Sequence, residues 1–255
     1  MTSSIVMERH GRLATISIRR PPLNILDLTT IQDLRRHLGE LMVDQDLQIL
    51  VLRGSGQKAF SAGVAVEDHS PEKVPDMLAE FHRAISILRD LPAVTVAVVQ
   101  GHCLGGGMEL AAGCELIVAS QDSRFGQPEI KLGCFPPLAA ALYPSLLGPQ
   151  HTFDLLLTGR TVTCEKAVEM GFVNRCVPAP ELDSTVDEIV QTILGHSLIV
   201  TRLTKRAIRA GQNQPFAEAL ALTEQIYLDE LTETADMPAG LAAFMEKRRP
   251  KWSHR

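Results

Sequence analysis

Residues 94–110 of the chain read VTVAVVQGHCLGGGMEL, and this stretch decides the predicted fold. The apolar run Val94–Val99 is typical of a strand that is buried on both faces. Three glycines, Gly105 to Gly107, follow where a helix is predicted to begin, and they allow the backbone to approach a ligand closely. The free N–H groups of a first helical turn favour negative charge, so the turn predicts an anion or oxyanion site. The same glycines would serve equally well to pack the helix against the strand.

The pattern on either side of this stretch indicates an α/β fold. Strands alternate with helices as far as about residue 130, and helices dominate afterwards apart from one short strand at Phe172–Val177. We therefore predict a core over residues 1–195 and a helical C-terminal region over residues 196–255. The other predicted strands include Leu13–Ile18, Gln48–Arg53 and Leu116–Ala119, and helical stripes of apolar residues begin near Thr29 and Val74.

Composition argues against several classes of protein. The 255 residues carry a net charge of −5 and one short basic block, Lys247-Arg248-Arg249, so nucleic-acid binding is not expected. No apolar run reaches membrane-spanning length and residues 1–10 hold no apolar signal region, so no membrane partner and a cytoplasmic location are expected. The five cysteines form no C-x-x-C pair, which predicts reduced, mostly buried thiols and no disulfide framework.

Several familiar motifs are incomplete in this sequence. Neither glycine turn completes G-x-G-x-x-G, and residues 54–58 lack the spacing and the Ser/Thr of a P-loop. Asp68-His69 could be a metal or acid–base pair, but no other histidine lies at ligand spacing, and no metal site is predicted. Ser61 lacks the G-x-S-x-G frame of an esterase, and Cys103 is favoured as a buried structural thiol.

Two glutamates are candidate acid–base groups. Glu109 lies in the first turn of the predicted helix, where a carboxylate also complements the helix dipole. Its neighbours Met108 and Leu110 are apolar, so burial would raise its pKa toward the range that suits proton transfer. Glu129 lies in GQPEI, residues 126–130, between two apolar stretches, where it could instead be a loop residue that caps a helix.

Three segments in this order resemble the crotonase (enoyl-CoA hydratase/isomerase) superfamily. They are KAFSAG at residues 58–63, GHCLGGGME at residues 101–109 and FGQPE at residues 125–129. The similarity extends from Arg20 to Pro250, which is almost the whole chain. It implies an α/β fold whose core is a spiral of repeated ββα units, followed by a helical C-terminal region that drives assembly of a homotrimer or homohexamer.

The resemblance also implies roles for individual residues. Backbone N–H groups of Ala62 and Gly106 would hold the thioester oxygen of an acyl-coenzyme A substrate, while Glu109 and Glu129 would handle the water and the proton. No cofactor is implied beyond the coenzyme A that is part of the substrate. Phe244 and Lys247 would lie near its adenine-ribose end, in the same or a neighbouring subunit. The residues implied to bind substrate are Lys58, Ser61, Ala62, Val64, Val66, Gly105, Gly106, Phe135, Pro136, Phe244 and Lys247.

Within the superfamily, three stretches resemble the hydratases of cyclohexa-1,5-diene-1-carbonyl-CoA. They are FSAGVAVEDH at residues 60–69, GQPEIKLGCFPP at residues 126–137, and the C-terminal part with YLD at residues 227–229 and KWS at residues 251–253. Many hydratases follow the second glutamate with P-G-x-G-G-T, whereas this chain has Phe135-Pro136-Pro137, which should reshape the acyl pocket. Ala65 stands where many relatives carry Asp, so a hydrogen bond from that Asp cannot be expected here. The resemblance therefore implies hydration of a conjugated cyclic dienoyl-CoA, or the reverse dehydration.

Three other functions stay open on the residues alone. A hydratase for short linear enoyl-CoA chains would use the same groups. A double-bond isomerase moves a proton without adding water and can use one glutamate, so the presence of both Glu109 and Glu129 favours hydration. A non-catalytic binding or scaffold protein on the same fold should have lost a glutamate or gained a basic patch, and neither is seen.

Overall fold

The computed structural model describes residues 4–255. Within that range, ten strands form two sheets. The strands are β1 (Ile5–His10), β2 (Leu13–Ile18), β3 (Ile49–Gly54), β4 (Ala59–Ser61), β5 (Val94–Val99), β6 (His102–Leu104), β7 (Leu116–Ser120), β8 (Arg124–Gly126), β9 (Thr161–Thr163) and β10 (Arg175–Val177).

Ten α-helices lie between and after these strands in residues 4–255. They are α1 (Leu28–Met42), α2 (Val74–Asp90), α3 (Gly106–Ala112), α4 (Pro137–Leu147), α5 (Pro149–Thr158), α6 (Cys164–Glu169), α7 (Leu182–Leu194), α8 (Leu198–Gly211), α9 (Phe216–Ile226) and α10 (Asp236–Met245). Short 3-10 helices span Val66–His69, Pro128–Leu132 and Ala179–Glu181, and a π-helical turn spans Tyr227–Leu231.

The order of the strands confirms the predicted α/β fold with ββα units. The large sheet has the order β1-β2-β3-β5-β7-β10, and the small sheet has the order β4-β6-β8-β9. β3, β5 and β7 lie in the large sheet, and each is followed at once by a strand of the small sheet. β3 and β4 are followed by α2, and β5 and β6 are followed by α3, so each set forms one ββα unit. All pairs are parallel except β1 with β2 and β8 with β9.

Alternate residues of the central strands face two separate apolar layers. Leu50 and Leu52 of β3 belong to the larger cluster, together with apolar residues of α1 and α2. Ile49 and Val51 of the same strand face the opposite layer, which is completed by α7 through Leu182, Val186 and Val190. Side chains of a strand alternate between its faces, so a strand covered on both sides needs an apolar residue at every position. This explains the continuous apolar run in β3.

Asp68 stabilises the start of α1 and is not a free acid–base group. Its Oδ2 accepts a hydrogen bond from the Leu28 N–H at 2.9 Å, and its Oδ1 lies 3.2 Å from Lys73 Nζ. Asp27 caps the same helix by accepting from the Thr30 N–H at 2.9 Å. Both carboxylates therefore satisfy N–H groups that a helix start leaves without an intrahelical partner.

The prediction that all cysteines are reduced is wrong for one pair. Cys164 begins α6 and Cys176 lies in β10, and the two form a disulfide with their Cα atoms 6.0 Å apart. The chain folds back between Cys164 and Cys176 and brings them side by side. Their spacing in the sequence matches no cysteine motif, so the pair was not predicted. Cys103 and Cys114 are buried free thiols, as predicted, and burial raises the pKa of both.

The C-terminal helices are in contact with the large sheet. Lys205 of α8 donates from Nζ to the carbonyl oxygen of Ala93 at 2.8 Å, just before β5. The division at residues 195 and 196 stays a prediction. The predicted strand Phe172–Val177 is shorter than expected, because only β10 at its end pairs with another strand. No helix in the described part of the chain is long and apolar enough to cross a membrane.

Candidate active site

The turn at residues 62–65 follows β4 and is anchored to the loop before α1. The buried side chain of Asn24 donates from Nδ2 to the carbonyl oxygen of Ala59 at 2.7 Å. The Leu26 N–H donates to the carbonyl oxygen of Gly63 at 2.9 Å. These bonds tie the turn to the core at several points, so its remaining N–H groups are held in fixed directions.

One N–H group of this turn is free for a ligand. The Ala62 N–H donates to the carbonyl oxygen of Leu23 at 2.9 Å, and the N–H groups of Gly63 and Ala65 also have acceptors inside the protein. Within residues 4–255, the Val64 N–H has no hydrogen-bond acceptor. The prediction of Ala62 as an oxyanion donor is therefore wrong, because its N–H already has an acceptor, and the free N–H group of this turn belongs to Val64.

The glycine turn at the start of α3 lies against this first turn. Gly105 has φ +53°, a conformation that favours glycine, and its N–H donates to the carbonyl oxygen of Gly126 at 2.9 Å. The Gly106 N–H has no acceptor among the described residues. A Cβ atom on Gly106 would lie 3.4 Å from the Val64 nitrogen, and one on Gly63 would lie 3.5 Å from the Gly106 nitrogen. The two free N–H groups are therefore close neighbours.

The glycines serve both packing and presentation of N–H groups. A Cβ atom on Gly107 would lie only 2.3 Å from the carbonyl oxygen of Ser61, so this position is glycine because α3 packs closely on β4. Gly106 also packs closely, since a Cβ there would lie 2.7 Å from Val64 Cγ2. The packing interpretation of the glycines is confirmed, and the oxyanion interpretation stays a prediction that the free Gly106 N–H group supports.

Glu109 is buried at the inner end of the site. Its side chain is 4% exposed, and its Oε1 accepts a hydrogen bond from the Ala139 N–H at 2.8 Å. Burial raises the pKa of this carboxyl group to about 7, and the nearby Glu129 adds to the rise. The N–H groups at the start of α4 favour the ionised form and limit the shift. Glu109 can therefore gain or lose a proton near neutral pH.

Glu129 approaches the glycine turn from the opposite side. A Cβ atom on Gly105 would lie 2.6 Å from Glu129 Oε1, so the missing side chain makes room for the carboxylate. Burial raises its pKa to about 7. In the amide orientation that satisfies all neighbours, Gln127 accepts from the Tyr143 hydroxyl at 2.6 Å and donates to both Glu129 oxygens at 3.0 and 3.1 Å. Gln127 thereby orients the carboxylate.

A cavity of about 670 Å³ opens over the free N–H groups and both glutamates. This volume lies within the range of small-molecule sites, and the wall is mostly apolar with a few polar groups. Nine of the residues predicted to form the site line it. They are Ala62, Val64, Val66, Gly105, Gly106, Glu109, Glu129, Phe135 and Pro136.

The other four predicted residues do not line this cavity. Ser61 is buried, and its hydroxyl accepts from the Gly63 N–H at 3.2 Å, so it shapes the turn. Lys58 is exposed and lies directly before β4. Phe244 on α10 is 83% exposed, and Lys247 follows that helix. Substrate contacts by these four residues stay predictions.

Comparison with known proteins assigns the chain to a family. The family described as enoyl-CoA hydratase/isomerase matches residues 8–255. The chain belongs to this family. It is 34% identical over 251 residues to cyclohexa-1,5-dienecarbonyl-CoA hydratase of Thauera aromatica, which covers 98% of this chain and 96% of that protein. It is 33% identical over 255 residues to a probable enoyl-CoA hydratase of Mycobacterium bovis, which covers 99% and 98%.

The fold of this family is also seen in a solved structure. The crystal structure of an enoyl-CoA hydratase from Bacillus anthracis matches with a TM-score of 0.94 at 28% identity, over 99% of this chain and all of that chain (100%). Together with the family match, these relatives identify the chain as an enzyme of the enoyl-CoA hydratase type.

Sequence reasoning missed three polar residues of this hydratase-type site. Gln127 and the fully buried Tyr143 form the hydrogen-bonded chain that reaches Glu129. Tyr143 offered a signal, since a tyrosine in an apolar helix needs a partner for its hydroxyl. His82 lines the cavity, and its buried Nε2 has no partner among the described residues. Burial lowers the pKa of His82, which favours the neutral form of its ring.

The raised pKa of Glu109 predicts a pH-dependent cost to stability. The folded protein holds this proton more tightly than the unfolded chain, so the free energy of unfolding falls as pH rises from 4.5 to about 7. A shift of this size corresponds to about 3 kcal/mol at pH 8. We expect Glu109→Gln to melt at a higher temperature than the parent at pH 8, with a smaller gain at pH 5, in calorimetry.

The matched control for this experiment is Glu188→Gln, which changes an exposed glutamate on α7. Its melting temperature should follow that of the parent at both pH values. A Glu109→Gln gain that is the same at pH 5 and pH 8 would contradict the raised pKa.

Proposed function

We propose that this enzyme adds water to a carbon–carbon double bond conjugated with a coenzyme A thioester, and that it also catalyses the reverse dehydration. The observation that carries the proposal is the pair of free N–H groups, from Val64 and Gly106, in one cavity with Glu109 and Glu129. An oxyanion site alone would suit many acyl-transfer reactions. Two carboxyl groups with pKa values near 7 add the proton transfers that hydration needs.

The N–H groups of Val64 and Gly106 would stabilise the charge that develops during addition. When the oxygen of water bonds to the β-carbon, the electron pair of the double bond moves toward the thioester oxygen and forms an enolate. Donors that are fixed before the reaction stabilise this charge without reorganisation. In this chain the turn at residues 62–65 is fixed by Asn24 and Leu26, and the second turn by α3.

Glu109 and Glu129 would divide the proton transfers between them. One ionised carboxylate accepts a proton from water as the C–O bond forms, and a protonated carboxyl group delivers a proton to the α-carbon, so water is added in full. The charge of Glu129 adds to the raised pKa of Glu109, which favours a state with a single proton on the pair. Gln127 holds Glu129 in place for this step.

We further propose that the acyl group is a cyclic dienoyl group. Phe135, Pro136 and Pro137 line the cavity together with Glu129, and Pro137 begins α4. A rigid, proline-rich wall suits a flat ring better than a flexible chain, because it cannot close around a chain of variable shape. A relative of this chain is named for hydration of cyclohexa-1,5-dienecarbonyl-CoA, and it is similar over almost the full length.

The test of this choice compares rates on cyclohexa-1,5-dienecarbonyl-CoA and on the linear crotonyl-CoA. We expect kcat/KM to be at least about tenfold higher for the cyclic substrate, since shape differences of a few carbon atoms in an apolar pocket give about 10–200-fold discrimination. Phe135→Ala should reduce this preference. The matched control is Phe153→Ala on α5, an exposed residue outside the cavity. Equal or faster turnover of crotonyl-CoA would favour the linear enoyl-CoA hydratase instead.

Assembly into a trimer or a pair of trimers is part of the proposal. The C-terminal helices carry exposed apolar side chains, among them Phe216, Leu228, Phe244 and Met245. Contiguous exposed apolar groups mark interaction surfaces. A neighbouring subunit that covers them would bring Phe244 and Lys247 toward the adenine-ribose end of coenzyme A.

A further inference from the structure

A second cavity lies between the last turn of α2 and α8. It has a volume of about 360 Å³ and shares no lining residue with the active-site cavity. Five cationic side chains line it together with only two carboxylates, Asp90 and Glu230. The cationic residues are Arg89, Arg202, Lys205, Arg206 and Arg209.

Three of the five cations are paired with carboxylates. Lys205 Nζ lies 2.8 Å from Glu115 Oε2, and Arg209 forms an ion pair with the other oxygen of Glu115. Arg206 is paired with Glu230. These three side chains are therefore explained by interactions within the chain.

Arg89 and Arg202 are not explained in this way. The Nη1 of Arg89 is buried and has no hydrogen-bond acceptor among residues 4–255. Arg202 donates from Nη2 to the carbonyl oxygens of Asp44 and Leu47, but its buried Nε has no acceptor among these residues. A guanidinium group does not lose its proton in a protein, so a buried N–H without an acceptor carries the full cost of its desolvation.

Local charges do not remove this cost for Arg89. Burial lowers its pKa, and Arg209 lowers it further by repulsion, while Glu115 and Asp90 oppose the shift. Its place in the last turn of α2 complements the helix dipole, but that interaction does not require a buried nitrogen. Arg202 also has Asp44 and Asp46 nearby, which balance part of its charge.

We propose that this cavity binds a small phosphate-bearing anion between Arg89 and Arg202. Guanidinium groups recognise phosphate through paired N–H···O bonds. The two arginines come from different helices, so one ligand must offer oxygen atoms in more than one direction. A tetrahedral phosphate does this, whereas a single planar carboxylate has two oxygens in one plane. The cavity lies near the lower limit of small-molecule sites, which matches inorganic phosphate or a small phosphate monoester.

Isothermal titration calorimetry of the full chain with inorganic phosphate tests this proposal, at pH 7.5 and constant ionic strength set with potassium chloride. We expect saturable binding. Arg89→Gln should weaken binding at least about tenfold, as the loss of a charged hydrogen bond does. Arg89→Lys keeps the positive charge but loses the paired N–H groups of the guanidinium. Its affinity for phosphate should therefore lie between those of the parent and Arg89→Gln. The matched control is Arg83→Gln, an exposed arginine on the same helix, which should bind as the parent does.

Thermal melting separates a binding role from a structural one. Without phosphate, Arg89→Gln should melt close to the parent, because the cost of the buried nitrogen offsets the attraction of Arg89 to Glu115, Asp90 and the helix dipole. With phosphate, the parent and Arg83→Gln should gain in melting temperature and Arg89→Gln should not. The proposal is overturned if the parent shows no saturable heat, if Arg89→Gln binds as tightly as Arg83→Gln, or if malonate binds where phosphate does not.

Discussion

Glu129→Gln is expected to lower kcat for hydration by about 10²–10⁴-fold with a much smaller change in KM. Glutamine has nearly the same shape and keeps one oxygen as a hydrogen-bond acceptor for Gln127, so the cavity should keep its form. It cannot exchange a proton near neutral pH, whereas the pKa of Glu129 is raised to about 7. We expect a loss of similar size for Glu109→Gln, whose Oε1 contact to the Ala139 N–H an amide oxygen can preserve.

The double variant shows whether the two glutamates act as one unit. If both carboxyl groups act on one water and one proton, Glu109→Gln with Glu129→Gln should be little slower than either single variant. Independent roles would multiply the two losses. Steady-state rates on an unsaturated acyl-CoA give the comparison, with Glu188→Gln as the control. Parent rates in either single variant would contradict the proposed mechanism.

Gly106→Ala is expected to lower kcat by about 10²–10³-fold, the effect that follows the loss of one oxyanion donor. The new Cβ would lie 2.7 Å from Val64 Cγ2 and 3.1 Å from the Phe81 ring, so we expect Val64 to shift away from residue 106. That shift separates the N–H groups of Val64 and Gly106 and weakens their common contact with a thioester oxygen. The matched control is Gly39→Ala on α1, where an added Cβ meets no atom within 4 Å.

A second measurement distinguishes a weakened oxyanion site from a general loss of packing. Hydrogen bonds from Val64 and Gly106 should lower the carbonyl stretching frequency of a bound thioester, which difference infrared spectroscopy records. The shift should be present in the parent and in Gly39→Ala and reduced in Gly106→Ala. An unchanged shift together with an unchanged rate would show that Gly106 serves packing alone.

The sequence was sufficient to predict the fold class and the strands of the large sheet, but the short strands β4, β6, β8 and β9 of the small sheet were missed. Continuous apolar runs such as Ile49–Leu52 identify strands covered on both faces, and the structure places them between two apolar layers. The similarity of three ordered segments was sufficient to predict the ββα repeat. Such runs and motifs are formed by residues that are close together in the chain, so they can be recognised from a single sequence.

The exact donors of the candidate site could not be predicted in the same way. Whether Ala62 or Val64 offers a free N–H depends on the carbonyl oxygen of Leu23, which lies almost forty positions earlier in the chain. The contact of Gln127 with Glu129 and the pairing of Cys164 with Cys176 also depend on how separate segments meet. Such contacts follow from the folded arrangement, which neither periodicity nor motif spacing describes.

The most direct test of the central claim follows the mass of the product in water enriched in oxygen-18. The parent enzyme is incubated with an unsaturated acyl-CoA, and the product is analysed by mass spectrometry. Our account predicts a product that has gained one molecule of labelled water, and loss of that product in Glu109→Gln and Glu129→Gln. A product of unchanged mass with a moved double bond, or no reaction with any unsaturated acyl-CoA, would contradict it.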